Sequence, residues 1–127
     1  MVKEISYILL GEQRNGIWHG RLNWRASGSP ASVEFDWERV LSREEKYGDI
    51  IGFFHTHPGG MHNPSNRDDK TMHAWSNSFG KPLLCIIEAS KEVGAWIYDY
   101  RKEGNEKVDK IERFRSNWLV AIERLEP

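Results

Sequence analysis

Three side chains in this sequence are of types and at spacings that could do chemistry together: His55, His57 and Asp68. On a β-strand, residues i and i+2 project from the same face. Two histidines so placed present their imidazoles side by side, close enough to share one metal ion. Their face is expected to carry Ile51 and Phe53 as an apolar floor. Asp68 falls on an expected helix, with Met72 and Trp75 following at i+4 and i+7. That stripe is the inward one, and a carboxylate on it needs a charge partner, because an unpaired buried carboxylate is expensive. A zinc ion supplies that partner. Two histidines, one carboxylate and an open fourth position describe a catalytic zinc site rather than a closed structural one. Water in the fourth position has its pKa lowered toward ~7.

Each piece also has a plain structural reading. Two histidines two apart on a strand arise by coincidence. Ser65-x-x-Asp68 is equally a helix-capping pattern, with Ser65 accepting from a backbone N–H near Asp68. The joint pattern carries more weight, since it is expected by chance on the order of once in ten thousand such chains.

The elements that must position these groups follow from patterning. Ile5 to Leu10 and Ile17 to Trp24 read as strands joined through Arg14-Asn15-Gly16, a hairpin. A short strand is expected over Val33 to Trp37, and a helix over Glu38 to Tyr47 ending before Gly48. Ile50 to His57 is apolar on both faces at its start, as a central strand is. Pro58-Gly59-Gly60 ends it. A helix follows from about Asn66 to Phe79, stopped by Gly80. Pro82 to Ala89 and Val93 to Tyr100 read as a further strand pair, and Lys107 to Ile111 as an edge strand. Phe114, Trp118, Ala121, Ile122 and Leu125 fall at i, i+4, i+7, i+8 and i+11, which predicts a C-terminal helix docked on the sheet. Strands with helices between some of them make the fold class α/β or α+β, with a central mixed β-sheet flanked by helices. At 127 residues, one domain over 1–127 is expected.

Composition excludes other classes. With 39% apolar and 29% charged residues the chain is ordinary globular protein. A net charge of -1 with interspersed signs favours neither nucleic acid nor an anionic membrane as partner. The single cysteine, Cys85, lies in an apolar run and reads as a buried, inert thiol. One cysteine permits no disulfide within the chain, and no leader pattern or membrane span is recognisable, so a cytoplasmic setting is expected.

The segment His55-x-His57-Pro58-x(6)-Ser65-x-x-Asp68 resembles the signature of the JAMM metalloproteases, the catalytic branch of the MPN domain, at every specified position. The expected order of elements through about residue 100 is compatible with that fold. The resemblance implies zinc bound by His55, His57 and Asp68, with Ser65 as the donor that stabilises the tetrahedral intermediate. It also implies an upstream glutamate that activates water. Glu4-Ile5-Ser6-Tyr7-Ile8-Leu9-Leu10-Gly11 follows the family form of that region except at Tyr7, where a small residue is usual. Glu4 is therefore the expected base, with Glu34 in reserve. Only three residues precede Glu4, so the C-terminal helix is expected to cover the surface the family gives to an N-terminal helix. Asp69 has the wrong spacing for a ligand, His62 is read as a solvated loop residue, and His19 and His73 have no motif support. Trp75 and Trp96 read as core.

The activity implied is metal-assisted hydrolysis of an isopeptide or peptide bond next to ubiquitin or a related modifier, with an activating protein partner left open. A substrate tail would lie extended along a strand edge. Two rivals stay open: a catalytically silent MPN-like assembly module, and a metal hydrolase of the same fold with an unrelated substrate. Zinc content without hydrolysis would favour the first.

Overall fold

The computed structural model describes residues 4–28, 36–58, 60, 62–90, 92–108, 110–114 and 118–122. Ten elements follow in chain order: β1 (Ile5–Arg14), β2 (Ile17–Ser27), α1 (Trp37–Tyr47), β3 (Ile50–Thr56), α2 (Asn66–Phe79), β4 (Leu83–Ala89), β5 (Glu92–Tyr98), β6 (Glu106–Lys107), β7 (Lys110–Phe114) and β8 (Trp118–Ile122). The strands form one mixed sheet in the order β6-β5-β4-β3-β1-β2-β8-β7. The fold is α+β, with no described helix long and apolar enough to cross a membrane.

Local chemistry explains most boundaries. Asn15 and Gly16 both take positive φ, 53° and 75°, as the tight turn between β1 and β2 requires. Helix α1 starts at Asp36, whose carboxylate accepts from the Arg39 N–H, and ends at Gly48 in the left-handed region. Helix α2 starts at Ser65 and ends at Gly80 in the same way. Between β3 and β4 the chain crosses over through α2, and the two strands pair in parallel. That crossover brings the C-terminal end of β3 beside the N-terminus of α2, where the expected site residues lie.

The two sheet faces bury different cores. Ile8, Leu10, Phe53, Cys85, Ile87, Trp96 and Tyr98 face Val40 of α1 and Met72 and Trp75 of α2. Leu9, Trp18, Ile51, Phe54, Leu84, Ile86 and Ile97 pack on the other face with Val108, and Ile111 packs against them. Strand β7 also touches β5, although the two stand near opposite ends of the strand order. The sheet therefore curls, and its edge strand packs toward the face that carries no described helix.

Two expectations are corrected here. The C-terminal helix is instead a hairpin: β7 pairs with β8, and β8 pairs with β2 from Ile17↔Ile122 to Arg21↔Trp118. The stretch Trp118-Leu119-Val120-Ala121-Ile122 is short, apolar and rich in β-formers, and periodicity alone cannot separate such a run from a buried helix. The open edge of β2 decides it by taking a partner strand. Leu125 lies outside the described residues. The cover expected from that helix falls with it, since residues 118–122 pair in the sheet instead. Ile51 is the second correction. The β1–β3 register shifts between Leu9↔Gly52 and Leu10↔Ile50. That irregularity breaks the alternation, so Ile51 packs on the face opposite Phe53.

Smaller differences are local. Most of the expected strand over Val33 to Trp37 lies outside the described residues, and Trp37 opens α1. The expected edge strand at Lys107 to Ile111 divides between β6 and β7.

Candidate metal centre

Alternation along β3 holds at its C-terminal end. His55 is 1% exposed and shares the helix-covered face with Phe53, and His57 follows just past the strand. Their Nε2 atoms lie 3.0 Å apart. Backbone bonding fixes His57 as well, since its N–H donates to the Glu88 carbonyl of β4 at 2.9 Å.

Asp68 reaches the pair from α2. Asp68, Met72 and Trp75 are all buried, so the inward stripe is as expected, and Asp68 is 8% exposed. One carboxylate oxygen lies 3.3 Å from His55 Nε2 and the other 3.2 Å from His57 Nε2. Burial pushes the Asp68 carboxyl up, but bonding to His55 and to the Ser65 backbone N–H outweighs it and holds the pKa down at about 2. The group is an anion across the physiological range.

Ser65 combines both of its expected readings. Its Oγ accepts from the Asp68 N–H at 3.0 Å, and its own N–H donates to Asp68 Oδ2 at 2.9 Å, a reciprocal cap. A hydroxyl that accepts a cap bond still has its proton to donate elsewhere. The same cap aims the Asp68 carboxylate.

Glu4 arrives from β1. Ser6 stands opposite His55 in the antiparallel β1–β3 ladder, so continuing that register places Glu4 opposite His57. Its backbone carbonyl accepts from the Gly28 N–H at 2.7 Å, and the next N–H, of Ile5, donates to Thr56 Oγ1 at 2.9 Å. The buried Ser6 hydroxyl also donates to the Gly28 carbonyl. With its backbone tied on both sides, Glu4 places Oε1 3.6 Å from His57 Nε2. Ligand atoms of Glu4, His55 and His57 lie within 4.8 Å of one another. Two carboxylates thus flank the histidine pair. Asp68 is the nearer and the more buried, while Glu4 is 38% exposed at its side chain. That contrast suits Asp68 to ligation and Glu4 to exchanging protons at an open coordination position.

The donor set fits zinc. Corners of a tetrahedron around zinc at ordinary Zn–N and Zn–O distances stand about 3.3 Å apart. The three separations among His55, His57 and Asp68 are 3.0, 3.3 and 3.2 Å. In one respect the site is unlike most such centres. His55 Nδ1 is buried and has no hydrogen-bond partner among the described residues, where a zinc-bound histidine usually donates that proton to a carboxylate or carbonyl.

The other candidates lie elsewhere. Glu34 is outside the described residues. Asp69 turns away from the histidines and accepts from Tyr98. His62 is not simply solvated: its Nδ1 lies 2.8 Å from Glu92 and its ring sits 6.1 Å from that of Trp96. Trp75 and Trp96 are core residues, and Cys85 is a buried free thiol whose pKa burial pushes well up, both as expected. His19 lies opposite Glu12 on the β1–β2 hairpin, and His73 meets Tyr98 edge-on. Thr56 ties the start of β1 beside Glu4, and nothing in a threonine at a strand end marks that role in the sequence.

A family model for prokaryotic homologs of the JAB domain matches residues 1–101. No curated protein matches the chain.

Proposed function

The chain belongs to the prokaryotic homologs of the JAB domain, and from that premise we propose that it is a zinc-dependent hydrolase of the peptide or isopeptide bond next to ubiquitin or a ubiquitin-like modifier. The observation that carries the reading is the convergence of two imidazole nitrogens and a buried carboxylate at 3.0 to 3.3 Å, with a second, more exposed carboxylate beside them. Zinc bound by His55, His57 and Asp68 would polarise a scissile carbonyl and acidify water.

The chain's own groups then divide the work. Asp68, anionic and nearly dry, would offset the charge of a cation held by the two histidines. Glu4, at the solvent side, takes a proton from the attacking water and delivers it to the departing amine. Ser65, pinned as the α2 cap, directs its hydroxyl proton to the oxygen that becomes negative. A modifier tail ending in glycine suits a site this close to backbone, because glycine permits close approach.

The test is a zinc-loaded preparation assayed on modifier conjugates, linear modifier fusions and unrelated peptides. Hydrolysis confined to the modifier substrates is expected, with Glu4→Gln slowing it by about 10²-fold or more while zinc stays bound. Full zinc content with no hydrolysis of any substrate would move the assignment to a silent assembly module. Failure to take up zinc at micromolar concentration would remove the hydrolase reading.

A further inference from the structure

Helix α2 carries two stripes, and only one of them belongs to the metal centre. Asp68, Met72 and Trp75 form the first. Asp69, His73 and Ser76 form the second, again at i, i+4 and i+7, and all three meet the end of β5 and the turn after it. The Tyr98 hydroxyl donates to Asp69 Oδ1 at 2.5 Å, and Asn105 Nδ2 donates to the same oxygen at 3.2 Å. The His73 ring meets the Tyr98 ring edge-on, with centroids 5.3 Å apart. Ser76 Oγ accepts from the Tyr100 N–H at 2.9 Å and donates to the Lys81 carbonyl at 2.8 Å. The apolar stripe sets how deeply α2 sits. Apolar contact is non-directional, so it constrains rotation about the helix axis weakly. Hydrogen bonds are directional, and this seam supplies them.

We propose that Tyr98 is a positioning residue: its hydroxyl, acting through Asp69, sets the rotation of α2 and with it the point at which Asp68 and Ser65 are presented to His55 and His57.

Leverage is the reason a single bond matters. A helix with its side chains has a radius of about 5 to 6 Å, so a rotation of ~10° carries a carboxylate oxygen ~1 Å sideways. Metal ligands tolerate only about 0.2 Å. Asp69 follows Asp68 directly and leaves the axis about 100° away, so pinning one aims the other. Tyr98 is fully buried, and burial together with Asp69 raises its pKa far above the ordinary tyrosine value, which keeps the hydroxyl a donor.

The metal arm of the test rests on the zinc reading above; a second arm does not. Zinc affinity is measured by competition with a chromophoric chelator for wild type, Tyr98→Phe, Asp69→Ala, the double variant and Asp69→Asn. Tyr98→Phe and Asp69→Ala are each expected to weaken zinc about 10-fold, the low end for a supporting group. The double variant should be no weaker than either single one. Asp69→Asn, whose amide oxygen still accepts from Tyr98, should stay within about 2-fold of wild type. In the metal-free protein, exchange of the Asp68 amide, which is bonded to Ser65 Oγ, is expected to quicken about 10-fold in Tyr98→Phe, while that of Cys85 in β4 is unchanged. Wild-type affinity in Tyr98→Phe, additive losses in the double variant, or unaltered Asp68 exchange would each overturn the proposal. Should Tyr98→Phe not fold, the contrast between Asp69→Ala and Asp69→Asn decides it in both arms. A wild type that takes up no zinc defeats the hydrolase reading alone and leaves the exchange arm to decide this one.

Discussion

The two helices begin with the same device and use it for different ends. At α1, Asp36 accepts from the Arg39 N–H at 3.1 Å in an exposed setting, and Val40 is the helix's buried residue. At α2, Ser65 and Asp68 cap one another, and the same carboxylate faces two imidazoles. A cap stabilises a helix wherever it occurs. It becomes a centre only where a neighbouring element aims polar groups at it, as β3 does at α2. The difference between the helix starts therefore lies in the sheet.

Breaking the α2 side should have the largest effect. Asp68→Ala is expected to weaken zinc by more than the ~10- to 100-fold typical of a supporting group and to end hydrolysis. Zinc at a hundred times its Kd should then no longer raise the unfolding temperature, where it adds ~2.7 kcal/mol to the wild type. Titration calorimetry and thermal unfolding read both. Ser65→Ala comes next. It should lower kcat about 10²-fold through the lost donor and cost ~1 kcal/mol of stability through the lost cap. A loss of stability with kcat intact would reduce Ser65 to a cap.

Asp36→Ala sharpens the contrast from the α1 side. It should cost ~1 kcal/mol in denaturant unfolding and leave zinc affinity and kcat at wild-type values. The smallest effect is at the other end of α1, where Arg43 forms a two-point pair with Asp49 at 3.0 and 2.6 Å. The Arg43 hydrogen bond lowers the Asp49 pKa below its ordinary value. A depressed carboxyl contributes stability above the unfolded pKa of ~3.9, and loses it as pH falls through the lower folded value. Partial exposure limits this to ~1 kcal/mol or less. Asp49→Asn should therefore lower the unfolding temperature slightly at pH 7, and by progressively less as pH falls below the unfolded value.

Legibility in the sequence follows the range of the interactions involved. Helix α2 is readable because Ser65 and Gly80 mark both ends and Asp68, Met72 and Trp75 mark its inward side, all within one segment. His55 and His57 are readable because strand alternation is local. The face taken by Ile51 is not, because it depends on an irregular register with β1. The C-terminal hairpin is not, because the open edge of β2 selects it over a helix of similar patterning. Glu4 was legible through family resemblance alone; its place opposite His57 follows from a pairing between distant strands. Tyr98 carries no mark in the sequence, because its tie to Asp69 exists only once α2 has docked on β5.

The β1–β3 pairing also bears on the order in which the site comes together. His55, His57, Ser65 and Asp68 belong to one strand–helix unit that can assemble early, since its contacts are short-range. Glu4 joins only after a loop is closed between residues fifty-one positions apart, Ile5 and Thr56. On the proposed reading, a maturing chain can thus acquire an ion before it acquires its proton acceptor. Under the hydrolase reading, half-formed molecules would be loaded yet harmless to the conjugates around them.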